Sequence, residues 1–333
     1  GTASSLLVEP ERTNLITYSN NFTDSSWTKL GAGTGSTSVV TSNYAISPDG
    51  TQNATRLVCD LNGGTTTSDQ SLIYDLDSSN TSQSISIYIK SNTGSNQNIY
   101  FANTFGTGDT AIVTSEWQRF EFNHSTSNHT FSLGLRGNTG ADNTADVLIW
   151  AAQSENGSYP TSYIPTDGGT VTRVQDQYSK TGISNLINSE EGTFFLDLAL
   201  LSGNTNYDLQ TSIVLSDGAA NNRVLIYSPT TPQNRYIALI KSEGNTVIQK
   251  TIDATDITLF NKIAVTWKTN EYKIFLNGNP IYSNTTPTAT PIGLNSLFFA
   301  AYNSTANPFY GKVKQLQIFK TALTDPELAI LTT

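Results

Sequence analysis

Hydrophobic and polar residues alternate along most of this chain with a period of two. In "SQSISIYIKS", Ile85, Ile87 and Ile89 fall on one side while Ser86, Tyr88 and Lys90 fall on the other. Successive side chains of an extended segment point to opposite faces, so this stretch predicts a half-buried β-strand. "EWQRFEF" (116–122), "HTFSLGLRG" (129–137) and "ADVLIWAAQ" (145–153) repeat the pattern, separated by Asn, Gly and Ser clusters that predict turns. No helix of useful length is predicted before residue 180. The same grammar resumes in "GTFFLDLAL", "NRVLIYS", "RYIALIKS", "FNKIAVTWK" and "EYKIFLNGNPIYS". Asn277-Gly278 in the last of these predicts a tight hairpin, because both residues tolerate the positive φ that such a turn demands. Near the end, Thr324 and Glu327 form a capping box around Pro326, predicting a short terminal helix with Leu328 and Ile330 packed down.

One stretch interrupts the alternation. In "SYPTSYIPTDGGTVTRVQDQYS" (158–179), Pro160 and Pro165 remove backbone donors and Gly168-Gly169 admits positive φ, so a sheet ends there. At 333 residues the chain is long enough for two cores. We therefore expect an all-β protein of two tandem antiparallel β-sandwiches, residues 1–175 and 176–333, with residues 158–185 leading from one to the other and one short C-terminal helix.

Charged residues make up only 14% of the chain and the formal net charge is −9, with no cluster of Lys or Arg. Nucleic acid and anionic membranes need a basic footprint that is missing, and no apolar run is long enough to span a bilayer. The single cysteine, Cys59, shares a strand face with Leu57 and Leu61 and is expected to be a buried, inert thiol. The first residue is Gly, not Met, which suggests a chain trimmed from something larger.

Three stretches resemble a known family. "LLVEPERTNLITYSNNFTDSSWTK", "VLIWAAQSENGSYPTSYIPTDGGTVTRVQDQYS" and the strand set from "EGTFFLDL" to "GKVKQLQIFKTALTDPEL" are similar to bacteriophage tail-fibre and structural proteins. The resemblance implies a carbohydrate-binding-module-like jelly roll followed by a concanavalin A-like, laminin-G-like sandwich. It also implies a receptor-facing virion protein, held by other virion proteins, that binds a cell-surface or capsular polysaccharide, with trimeric assembly. A purely structural fibre segment, or the accessory modules of a secreted or surface-bound bacterial protein that degrades polysaccharide, are the other readings. The resemblance further implies a structural calcium in the first domain, where Asp146 with Glu11 or Asn14 offers hard oxygen ligands; the other reading of Asp146 is a carboxylate satisfied by backbone amides. Laminin-G-like domains carry an acidic pair where this chain has Lys314 and Gln315, so no calcium is expected in the second domain.

The chemistry for catalysis is missing from the sequence. A retaining glycosidase holds two carboxylates ~5 Å apart, which on one strand needs acidic residues at alternate positions. No such run exists, and the two histidines, His124 and His129, flank a turn in which exposed imidazoles are expected. Glycan binding asks for less: an exposed ring to stack on sugar C–H faces, flanked by hydrogen-bonding groups. The tryptophans Trp27, Trp117, Trp150 and Trp267 lie where core packing is expected. Rings in loop-like sequence are the glycan-binding candidates: Tyr207, Tyr236 and, above all, Tyr302 with Asn303 and Phe309 in "AYNSTANPFYG".

Overall fold

The computed structural model describes residues 4–77, 83–102, 108–124, 129–201, 211–229, 234–286, 289–302 and 306–333. The chain forms two compact units, Glu11–Val174 and Gly1–Pro10 together with Gln175–Thr333. After β1 (Leu6–Val8), the first unit runs β2 (Arg12–Asn14), β3 (Thr28–Ala32), β4 (Val39–Ala45), β5 (Ala54–Asp60), β6 (Gln70–Asp77) and β7 (Gln83–Ser91). It continues through β8 (Gln97–Ala102), β9 (Asp109–Val113), β10 (Gln118–His124), β11 (His129–Arg136), β12 (Thr144–Asn156) and β13 (Val171–Arg173). One sheet has the order β10-β7-β12-β5-β4 and the other β3-β6-β11-β8-β9. Every pairing is antiparallel, for example Ile87 opposite Phe120. Ile85, Ile87 and Ile89 do face inward, packing with Leu57, Cys59, Ile149, Ile73, Leu133 and Phe101 in one core drawn from both sheets.

The outer face of β7 is more covered than alternation suggests. Ser84 and Ser86 are as buried as the isoleucines. The cause is the proline-rich stretch, which folds back over the first sandwich instead of leaving it. Buried Glu155 accepts hydrogen bonds from Gln153 and from the amide and hydroxyl of Thr161, while Arg119 donates to Ser86 and to the Thr161 carbonyl. Asn14 donates to the carbonyls of Ala152 and Ile164 and accepts from the amides of Ile16 and Ser154. Glu155, Gln153 and Asn14 are thus each partnered, the condition for burying such groups at all. After it, β13 pairs with β2, and the first unit ends at Val174.

The second unit contains β1 and then β14 (Ser179–Lys180), β15 (Glu191–Leu200), β16 (Thr211–Ser216), β17 (Arg223–Ser228), β18 (Arg235–Ser242) and β19 (Asn245–Asp253). It closes with β20 (Asn261–Lys268), β21 (Glu271–Leu276), β22 (Asn279–Asn284), β23 (Ser296–Phe298), β24 (Gly311–Phe319) and α1 (Asp325–Thr332). Its sheets have the orders β1-β24-β15-β20-β21-β22 and β14-β23-β16-β17-β18-β19. Phe194, Leu196, Trp267 and Tyr272 from the first meet Ile213, Leu215, Val224 and Tyr236 from the second. The outer face of the first sheet is closed by α1, whose Leu328 packs on Phe195, Ala264 and Phe275. The outer face of the second keeps a cleft, described below.

Several expectations need correcting. Residues up to Pro10 belong with the second sandwich, because Leu6, Leu7 and Val8 pair with Val313, Lys312 and Gly311. The terminal helix has its capping box, with the Thr324 amide and hydroxyl both donating to Glu327. Yet Ile330 is 78% exposed while Leu328 is fully buried. Two residues advance a helix by about 200°, so the pair cannot share a face. Trp117 is half-buried just ahead of β10, unlike the other three tryptophans, which are buried. His124 ends β10 and His129 begins β11, but their side chains lie outside the described residues. The hairpin between β21 and β22 is formed as expected, with φ of 47° at Asn277 and 81° at Gly278. Among the described residues, no helix is long and apolar enough to cross a membrane.

Candidate functional site

The register of β16, β17 and β18 decides what the second sandwich presents on its outer face. Val214 stands opposite Leu225, and Leu225 opposite Leu239. Period two then places Ser212, Tyr227, Arg223 and Lys241 on the same face. The three aliphatic residues form a small cluster outside the main core, with Tyr227 and Phe298 packed against it. This is why β16 is buried at all six positions: Ile213 and Leu215 face the core, while Val214 lies under a second apolar layer.

Residues 299–302 and 306–310 wall this face. Ser212 donates to the Asn307 carbonyl and Ser216 to that of Tyr302, while the Phe309 amide returns to Phe299. Between wall and sheet lies a cleft of about 390 Å³, with Leu225 and Leu239 on its floor and Tyr227, Tyr302, Arg223, Lys241 and Gln249 around them. The Tyr302 ring sits over the Arg223 guanidinium, 5.2 Å from carbon to ring centroid. An apolar floor with aromatic walls and a few convergent polar groups is the arrangement expected of a small-molecule or saccharide site.

Burial shifts the chemistry of the cleft. Desolvation lowers the Arg223 pKa, opposed by the nearby Tyr302 and Tyr227. The Tyr227 phenol is raised, chiefly by burial, with Arg223 pulling the other way. None of the described residues lining the cleft is acidic.

Of the ring candidates taken from the sequence, the cleft receives Tyr302. Asn303 and Tyr207 lie outside the described residues. Phe309 and Tyr236 are not on the surface. Phe309 is 2% exposed and packs edge-on against Phe299 at 5.9 Å, while Tyr236 is 1% exposed and donates inward to the Ile257 carbonyl. Tyr236 lies within β18 and not in a loop, and of the pair Tyr302 and Phe309 one ring faces the cleft and the other the core. Arg223, Tyr227, Lys241 and Gln249 were missed. Their only signal was the Arg-x-Leu-x-Tyr alternation in "NRVLIYS", which reads as an ordinary outer face until Leu225 proves buried.

Asp146, Glu11 and Asn14 do not form a common site. Asp146 is engaged by Arg56, with N–O distances of 2.8 and 2.6 Å, and by Asn92 at 3.0 Å. Asn14 is spent on the 152–164 seam, six or more strand residues along β12, which is roughly 20 Å. Glu11 lies exposed beside Asn14's strand. Arg56 holds the Asp146 carboxyl below its usual range, so an ion pair occupies the place given to calcium. Among the described residues, no three His, Cys, Asp or Glu side chains are grouped to hold a metal.

A larger cleft of about 520 Å³ opens in the first sandwich beside Asn20, Asn21, Asn43, Asn53 and Asp167. It has no aromatic ring among its described lining residues and so lacks a stacking platform.

Residues 201–329 match the family model described as the concanavalin A-like lectin/glucanases superfamily, and the second unit contains a concanavalin A-like domain. No curated protein matches the chain significantly. Similar solved structures include the IT-sialidase CBM40 of Ruminococcus gnavus bound to alpha2,3 sialyllactose, 18% identical, covering 47% of this chain and 98% of that one at a TM-score of 0.36. The NanB sialidase of Streptococcus pneumoniae is 19% identical over 47% of this chain and 27% of its own, at 0.37. A heptameric SAP-like pentraxin of Limulus polyphemus is 10% identical over 47% and 76%, at 0.37.

Proposed function

We propose that this protein is a non-catalytic glycan-binding protein that takes its saccharide in the cleft between the outer face of β16–β19 and the wall that contains Ala301, Tyr302 and Asn307. The observation that carries this reading is the cleft itself: an apolar floor and two tyrosines beside hydrogen-bonding side chains, on a domain matched by a lectin and glucanase family model. Sugars bind through stacking on rings and through hydroxyl hydrogen bonds, and both are supplied. Glycoside hydrolysis needs a carboxylate pair, and the described lining supplies none.

The setting we favour is a virion adhesin, supported by the tail-fibre resemblance of the "LLVEPERTNL" and "SYPTSYIPTDGG" stretches. Three chains about one axis would turn a weak site into a strong one, since avidity can add roughly 10² to 10⁴ to affinity without new contacts. An accessory module of a secreted bacterial protein fits the lectin and glucanase match equally well, and the gene neighbourhood separates the two. Glycan arrays carrying capsular and cell-surface polysaccharides test the binding itself. The chain should be retained by a subset of glycans, and Tyr302→Ala should weaken retention about tenfold, one stacking interaction's worth, with its melting temperature unchanged. Retention by none would leave a structural spacer.

A further inference from the structure

The cleft also carries a charge pattern that folding alone does not explain. Arg223 and Lys241 are direct cross-strand partners on β17 and β18. Like charges placed opposite one another in a sheet destabilise it. Here they are also drawn out of water: the Arg223 Nε is fully shielded and donates to no group. Other cations of the second unit do find acids, as Arg235 does Asp253 at 2.9 Å and Lys273 does Asp325 at 2.6 Å. Among the described residues, neither Arg223 nor Lys241 has a carboxylate partner, and the Arg223 guanidinium lies against the Tyr302 ring. In a chain of net charge −9, two uncompensated cations side by side in the one ring-walled cleft described above are a local exception.

We propose that the ligand of this cleft is an acidic saccharide, one bearing a carboxylate or sulfate group, whose anion is held by Arg223 and Lys241 while its ring lies against Tyr302 or Tyr227. A bound anion relieves the cross-strand repulsion and restores hydrogen bonds to a desolvated guanidinium, and charge-assisted bonds of this kind are about twice as strong as neutral ones. Gln249, on β19, is an uncharged lining residue that can serve a sugar hydroxyl apart from the two cations. This rests on the glycan-binding reading and narrows it to a ligand class.

The test uses the full chain against matched pairs of immobilised saccharides: oligogalacturonate and its methyl ester, sialyllactose and lactose, sulfated and unsulfated galactan. The chain should prefer the acidic member of at least one pair by about 10- to 100-fold, the value of a hydrogen bond to a charged group. Its own negative charge works against unspecific attraction to polyanions. Arg223→Gln should erase the preference, and Lys241→Gln should reduce it in part. Because each variant removes a like-charge pair, neither should lower the melting temperature. Equal retention of acidic and neutral members, or an acid preference untouched by both variants, overturns the acidic class and keeps glycan binding. Retention of no member of a broad array overturns both.

Discussion

Asp197 is a carboxylate the fold accommodates poorly. It is 3% exposed on β15, and its Oδ1 has no hydrogen-bond partner. Desolvation raises its pKa, against the pull of Lys262 and Lys314. An acid whose pKa is raised by folding binds its proton more tightly in the native state, so its ionisation opposes folding at neutral pH. That penalty fades as pH falls and is gone below the ordinary carboxylate value of 3.8. Asp197→Asn should therefore raise the melting temperature at pH 7 by a few degrees, corresponding to ~1 kcal/mol. Melts at pH 7 and pH 3.5 should show the gain shrinking with acid; a gain independent of pH would mean that packing, not charge, is responsible. Tyr302 and Phe309 make a sharper contrast. Phe309→Ala empties a core site and should cost ~3–5 kcal/mol, whereas Tyr302→Ala should cost less than ~1 kcal/mol, as read by denaturant melts. Cys59, whose thiol burial pushes up to about 12, should resist thiol reagents until the first sandwich unfolds.

Among the elements, β1 has the most to reveal. It is three residues long and adds an edge to the sheet that ends in β24, with Val8 1% exposed in the second core. Removing residues 1–10 from the full chain should strip that edge and expose apolar surface beneath it. The loss should be ~2–3 kcal/mol from Val8 and its neighbours, seen by calorimetry as a lower transition for the second sandwich with that of the first unmoved. If the first sandwich is the one that weakens, the pairing of β1 with β24 is wrong. The terminal helix offers a parallel check: Leu328→Ala should destabilise, and Ile330→Lys should not.

For the whole molecule, the two compact units predict that residues 11–174 fold alone with the transition they show in the full chain. Residues 175–333 alone should melt below their transition in the full chain, because β1 is missing. Differential scanning calorimetry of the three proteins checks this, and a residue 11–174 fragment that fails to fold would contradict the division. The first unit ends at Val174, and the proline-rich stretch before it has a role of its own. Pro160 and Pro165 flank Ile164, which is buried in the first sandwich and held by Asn14 and Gln153.

What the sequence by itself determined was local. Side-chain period, turn residues and caps act between neighbours, so the all-β class, the inward set Ile85, Ile87 and Ile89, the Asn277-Gly278 hairpin and the Thr324 capping box were all legible. The tertiary structure alone decided which surfaces meet. Alternation says that Arg223, Leu225 and Tyr227 share a face, but not that this face is continued by Leu239 and Lys241 or walled by Tyr302 and Asn307. Nor does it say that Phe309 turns inward, that β1 pairs with a strand some 300 residues away, or that Asn14 meets β12 at Ala152 and Ser154, well along the strand from Asp146. Such outcomes depend on strand register and chain path between distant segments. A period of two leaves them undetermined, because it assigns sides within a strand and never the strand's partner.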